Sequence, residues 1–248
     1  MNYNEIIQKI QDTEIILVGI GEELAFPYQK EEKEIIWEKI LEYKTNLEKG
    51  LWNEEERKYL EIYKKLEQIL KGKDYFILTT NVDAIIFYSE LQKEKIAAPC
   101  GDIRRLQCSD SSHGVWELEE RCCPICGKQG IFNTIQEKPY NEMGYQVQWE
   151  SYKRWLQKTI NKKILLLELG EGFQTPTVIR WAFEKIAFIN QKAYFYRVNE
   201  KFPQISAELN GKAQGIKENT KDFILSISEL LNEGKYDKMS KKGRNEVK

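Results

Sequence analysis

The chain is short of several things. In 248 residues it has a single histidine, His113. It has no surplus charge of either sign: 38 Lys and Arg stand against 39 Asp and Glu, a formal net charge of -1. A surface made for nucleic acid or an anionic membrane carries a basic surplus, so neither is expected as a partner. No apolar run reaches the roughly 18 residues that a membrane-crossing helix needs. The N-terminus, MNYNEIIQKIQDTEIILVGIG, lacks the basic-then-apolar pattern of a secretory signal, and the expected compartment is the cytoplasm. There, the five cysteines between Cys100 and Cys126 are expected to act as metal ligands or functional thiols before disulfides.

What is present is a globular composition, 41% hydrophobic and 31% charged, enough for a real core. Residues 3–12 predict a short amphipathic helix. Glu14 to Val18 reads as a buried strand opening into Gly19-Ile20-Gly21. Residues 30–72 predict a helical pair, broken near Leu51 to Asn53, with Asn53 as N-cap. Tyr75 to Thr79 is a second core strand, and 84–95 predicts a helix. Lys163 to Leu169 is a third strand, ending in Gly170-Glu171-Gly172. A helix is predicted over Thr177 to Ile189, a strand over Ala193 to Val198, a closing helix over Lys221 to Leu231, and a frayed polar tail after it.

Strands alternating with helices predict an α/β fold, a doubly wound parallel Rossmann-like sheet. Three polar or glycine-rich turns follow strands: Gly19 to Gly21, Asn81 to Asp83 and Gly170 to Gly172. The ligand crevice of such a sheet lies at those carboxyl ends, so their convergence predicts a nucleotide site.

Cys123-Pro124-Ile125-Cys126 is a Cys-x-x-Cys knuckle able to hold half of a tetrahedral Zn²⁺ site. The upstream half is incomplete. Cys108 is there, but Ser111 and Ser112 occupy the place of a second cysteine. The expected ligands are Cys108, His113, Cys123 and Cys126, with Cys122 as the alternative to His113. The expected organisation is a nucleotide-binding domain of 1–103 and 136–232 with a helical insert at 30–72. A Cys-rich zinc module at 104–135 interrupts it, and a tail at 233–248 follows.

The order of these motifs resembles the sirtuins, NAD-dependent protein deacylases and ADP-ribosyltransferases. The resemblance runs from about Glu14 to Leu230 through Gly19-x-Gly21, Thr80-Asn81-Val82-Asp83, Cys100-Gly101-Asp102, Cys108, Cys123-x-x-Cys126, Leu165 to Gly170 and Val198-Asn199. Gln107-Cys108-Ser109 with His113, and Gly170 to Pro176 with Ile179 to Glu184, look most like the macrodomain-linked bacterial class. That class transfers ADP-ribose to a lipoyl-carrier protein. The resemblance implies NAD across the strand ends. Gly19 and Gly21 would approach its diphosphate. Thr80, Asn81 and Asp83 would lie at the nicotinamide ribose. Gly170, Gly172 and Thr175 would meet the phosphate or adenosine end, and Asn199 the adenosine ribose.

Three departures stand out. Cys100 occupies the place where typical sirtuins carry a histidine base and the macrodomain-linked class a glutamine. A thiol of ordinary pKa, about 8.5, is a poor base at neutral pH. Glu22-Glu23 stands where the family's loop is rich in small residues, within reach of ribose hydroxyls or else repelling a diphosphate. The zinc pair is incomplete. The expected activity is ADP-ribosyl transfer from NAD to an acceptor protein, with Asn81, Asp83 and Cys100 as catalytic candidates. A silent NAD- or ADP-ribose-binding module and a deacylase are the alternatives.

Overall fold

The computed structural model describes residues 3–26 and 37–245, and side chains within 3–26 and 42–233. In chain order the elements are α1 (Tyr3–Asp12), β1 (Ile15–Ile20), α2 (Trp37–Glu48), α3 (Glu54–Leu70), β2 (Asp74–Thr79), β3 (Ile96–Ala97), β4 (Gly101–Gln107), β5 (Val115–Glu117), β6 (Ile131–Thr134), α4 (Gln146–Lys158), β7 (Ile164–Leu169), α5 (Arg180–Ile189), β8 (Ala193–Val198), β9 (Ala213–Ile216) and α6 (Thr220–Asn245). The strands β1, β2, β7 and β8 are nearly continuous apolar runs, as strands buried on both faces must be.

Six strands form a parallel sheet in the order β3-β2-β1-β7-β8-β9. The chain runs outward from β1 through β2 to β3. It then returns to the other side of β1 and runs outward again through β7, β8 and β9. The order therefore reverses between β1 and β7, and a doubly wound sheet opens its ligand crevice at such a point. A second sheet, antiparallel in the order β5-β4-β6, carries the cysteine knuckle.

Alternate residues of each strand feed two cores. Ile16, Val18, Ile20, Ile77, Leu165 and Leu167 pack with α1, α3 and α6. Leu17, Phe76, Leu78, Leu166 and Phe195 pack with α4 and α5. The Asn53 cap is realised in full: its side chain accepts from Glu56 N, and the Glu56 carboxylate accepts from Asn53 N, both at 2.8 Å.

Several expectations are corrected. Residues 84–95 are not one helix but two single 3₁₀ turns, Ile85–Tyr88 and Lys93–Lys95, leading into β3. Ala84 takes a left-handed φ of 65°, which no helix continues, and Ile85, Ile86 and Phe87 are all buried, leaving no solvent face. The helix expected from Thr177 starts at Arg180. The expected frayed tail is helical to Asn245, as a continuation of α6. Residues 1–2, 27–36, which include the first seven positions of the expected helical insert, and 246–248 lie outside the described residues. The helix α4 was not anticipated, although Trp149, Tyr152 and Leu156 keep helical spacing.

Candidate functional site

The register sets the site. Ile20 pairs with both Thr79 and Leu169, and Leu169 pairs with Val198. The next residues, Thr80, Gly21, Gly170 and Asn199, therefore leave the sheet side by side. Backbone bonds tie them down: Gly21 N donates to Leu169 O, Thr80 N to Ile20 O, and Gly170 N to Val198 O.

Gly19 does not lie in the turn. It sits inside β1 and faces α5. A Cβ there would lie 2.3 Å from Ile179 Cγ2 and about 3 Å from the Phe183 ring. Its lack of a side chain lets α5 pack closely, one of the known uses of glycine in such sheets. Gly21 is the turn residue, and the space above it is filled by Glu171. A Cβ on Gly21 would meet Glu171 Cα at 2.3 Å and Oε2 at 2.4 Å.

Glu171 is only 2% exposed. Thr80 Oγ1 donates to its Oε2 at 2.7 Å. Burial, with the neighbouring Glu168 and Glu22 carboxylates adding to it, pushes the acid up to about 8 against the Thr80 bond and Arg180. Glu22 is exposed and turned toward Gly172. Glu23 is spent on binding neighbouring loops. Its carboxylate accepts from Glu200 N and from Thr220 N and Oγ1, tying the β1 turn to the end of β8 and the start of α6. In the sequence Glu22 stands out beside Glu23, and Glu171 does not. The flanking glycines were the available signal, since they leave room for a folded-in side chain.

At the end of β2, Asn81 and Asp83 are buried. Asp83 is spent on backbone: Oδ2 accepts from Phe26 N at 2.8 Å and Oδ1 from Ile85 N at 2.9 Å. Burial pushes its carboxyl up to about 6, opposed by those two N–H groups. Asn81 differs. It is 6% exposed and lies against the Tyr63 hydroxyl, yet its Nδ2 completes no well-formed hydrogen bond among the described residues. A buried amide donor left unpaired costs about 1–3 kcal/mol, so it marks a place built for something else.

Cys100 is buried beside the same ends, with Sγ 3.8 Å from Thr175 Oγ1. Burial pushes its thiol up to about 11, and the Glu171 carboxylate adds to the rise. It stays a thiol at neutral pH. Gly101 follows at φ 74°, where a Cβ would fall 1.9 Å from Asn133 O, so only glycine fits this junction with the small sheet.

Asn199 is consumed in shaping loops. Its Nδ2 donates to Glu171 O at 3.0 Å, and its Oδ1 accepts from Lys201 N and Phe202 N. Beneath lies an ion network with no exposed member on β7 or β8. Glu168 accepts from Arg197 and Arg180, and Arg197 also bonds Glu184. Arg180 reaches up to donate to Glu171 O and Phe202 O, holding the β7 and β8 loops together. A cavity of about 280 Å³ opens beside β3 and the small sheet, lined by Phe87, Ala98, Gly101, Arg104, Arg105 and Tyr145. Neither Asn81 nor Glu171 lines it.

The cysteine knuckle folds as expected. Donor atoms of Cys108, His113, Cys123 and Cys126 lie within 4.8 Å of one another. Cys108 Sγ is 3.4 Å from His113 Nδ1 and 3.6 Å from Cys126 Sγ, and Cys123 Sγ is 3.6 Å from Nδ1. Edges of roughly 3.5–4 Å are those of a tetrahedron around Zn²⁺ with Zn–S near 2.3 Å. Cys122 is exposed and outside the set.

No family model matches the chain. It is 24% identical over 192 residues, 68% of its length, to a protein ADP-ribosyltransferase of Staphylococcus aureus, and spans 58% of that protein. It is 24% identical over 141 residues to a probable bifunctional ADP-ribose hydrolase/ADP-ribosyltransferase of Fusarium oxysporum f. sp. cubense, covering 46% of this chain and 24% of that one. Among solved structures it resembles a Sir2–p53 peptide–NAD⁺ complex at TM-score 0.57 and 11% identity, over 92% of this chain and 98% of that one. A Sir2 homologue–NAD complex gives TM-score 0.56 and 12% identity over 93% and 94%. The chain has the Sir2 fold: a Rossmann-like parallel sheet with a small antiparallel module that carries a Cys/His cluster.

Proposed function

We propose that this chain consumes NAD, breaking the bond between nicotinamide and ribose and passing ADP-ribose to a protein acceptor. The fold and the curated relatives support the reading, and the observation that carries it is Asn81. A buried, unpaired amide N–H at the crevice suits the carboxamide oxygen of nicotinamide, a group that would satisfy it. Asp83, Thr80 and Gly21 hold the turn around it. The C1′–N bond breaks with its electron pair passing to the nicotinamide ring nitrogen. The acceptor nucleophile bonds C1′, and its proton leaves to solvent. Orientation and exclusion of water are what such a site contributes. The resemblance points to a lipoyl-carrier protein as acceptor, and the cytoplasm is the proposed place of action. The Cys108, His113, Cys123 and Cys126 cluster would hold Zn²⁺ with a full shell of protein ligands, a structural role.

Cys100, held protonated, does not offer the base that deacylation asks of this position. The deacylase reading therefore ranks last. A silent NAD- or ADP-ribose-binding module is the second reading, favoured by Glu171 above Gly21. Calorimetry with NAD, followed by mass spectrometry for nicotinamide, separates them. Micromolar binding with nicotinamide release, lost in Asn81→Ala, is the expected outcome. Binding without release in the presence of candidate acceptors would establish the silent module.

A further inference from the structure

The Gly21 turn is where a doubly wound sheet brings backbone up to a diphosphate. Here that space already holds a carboxyl group of the chain. Glu171 reaches back from the end of β7, lies against Gly21 and receives the Thr80 hydroxyl at 2.7 Å. It cannot be a solvated bystander at 2% exposure. Among the described residues no ion pair neutralises it. Arg180 donates to the backbone oxygen of Glu171 and to Glu168, not to the Glu171 carboxyl. Resting on the NAD reading above, we propose that Glu171 determines the terms on which this crevice admits a nucleotide diphosphate. The diphosphate enters only with the Glu171 carboxyl protonated, so binding takes up a proton.

The electrostatics run one way. A diphosphate brings negative charge against a buried group, where charges are poorly screened. The groups facing Glu171 reinforce this. Glu22 from the β1 turn and Glu168 from β7 are acidic. Thr80 from the β2 end and Cys100 from the β3–β4 junction are neutral. The Thr80 hydrogen bond and, more weakly, Arg180 from α5 oppose. A protonated carboxyl removes the repulsion and becomes a hydrogen-bond donor toward a phosphate oxygen. The acid, raised by burial to about 8, is largely protonated at neutral pH and ionises just above it. A further rise on binding is what couples the proton to the ligand.

The test is calorimetry of NAD binding from pH 6 to pH 9, in paired buffers of different ionisation enthalpy. The wild-type chain is expected to take up most of a proton per NAD bound at pH 9 and little at pH 6. Its affinity is expected to fall by about tenfold per pH unit above pH 8. Glu171→Gln keeps the size of the side chain and an acceptor for Thr80. It is expected to abolish both the uptake and the slope, while Glu5→Gln, an exposed acid on α1 beside the opposite ends of β7 and β8, leaves them. NAD binding with no proton uptake at pH 9, or the same slope in Glu171→Gln, overturns the proposal and leaves the NAD reading intact. No NAD binding at pH 6 by either protein overturns the NAD reading, and the gate with it. The wild-type proton count stands on its own should the variant fold poorly.

Discussion

Asp83 shows how far a residue's part can lie from what its type suggests. An acid at a strand end invites a catalytic role. Here both oxygens accept backbone N–H groups, from Phe26 on one side and Ile85 on the other. It welds the β1 and β2 turns together. Asp83→Asn replaces one acceptor by an amide donor and sets it against an N–H. The expected cost is about 1–3 kcal/mol, read from denaturant unfolding. A loss of NAD turnover in this variant with unchanged stability would return Asp83 to a direct catalytic part. The sequence displayed Thr80, Asn81 and Asp83 plainly, because a strand followed by polar residues is a local pattern. It could not display which of them was free. That depends on partners such as Phe26, 57 residues away. Glu171 was hidden for the same reason, since its burial is decided by the missing side chain of Gly21 in the turn after another strand.

At the level of elements, the small antiparallel sheet matters because of where it begins. Gly101 opens β4 directly after Cys100, and Ile135 N donates to Cys100 O at 2.8 Å. The knuckle at Cys123 and Cys126 therefore braces one wall of the crevice. If Zn²⁺ binds there, its removal with a chelator, or Cys123→Ser, is expected to lower the melting temperature by several degrees and to weaken NAD binding. Melting and affinity that do not respond to chelation would show that packing alone holds the module. The Cys-x-x-Cys spacing was legible because both ligands sit on one tight turn. The sequence favoured His113 with Cys122 as the alternative, and the chain folds back so that the His113 donor joins the three thiols while Cys122 stays exposed. The strands β4 to β6 were not legible at all. They are short, and the few apolar residues they bury, Ile103, Leu106 and Phe132, stand scattered among polar ones without a regular alternation.

For the whole molecule, the doubly wound sheet was readable from four apolar strands alternating with amphipathic helices. The ionic layer beneath the crevice was not. Glu168 and Arg197 look like ordinary strand residues with one charge each, yet both are essentially without solvent. Arg180 joins them and ties the β7 loop to the β8 loop. Arg180→Ala removes one partner from a buried set and is expected to cost about 3 kcal/mol. It should also loosen NAD binding, because Glu171 and Phe202 lose a common anchor. A melting temperature unchanged in this variant would mean that Arg197 alone satisfies Glu168.

The level ends of β2, β1, β7 and β8 give the crevice one more property. Thr80, Gly21, Gly170 and Asn199 stand in a row, one strand spacing apart, across roughly 14 Å at about 4.8 Å per strand. Such a row is a ruler. A bound molecule is gauged by how many strands it crosses, and one that stops a strand short leaves an end post untouched. The ruler is rigid, because its marks are fixed by the pairing of the sheet and not by the loops above it. Loop changes can alter what is grasped at each mark, but only a shift of strand register can alter the distance between marks, and that would turn every core side chain to the wrong face.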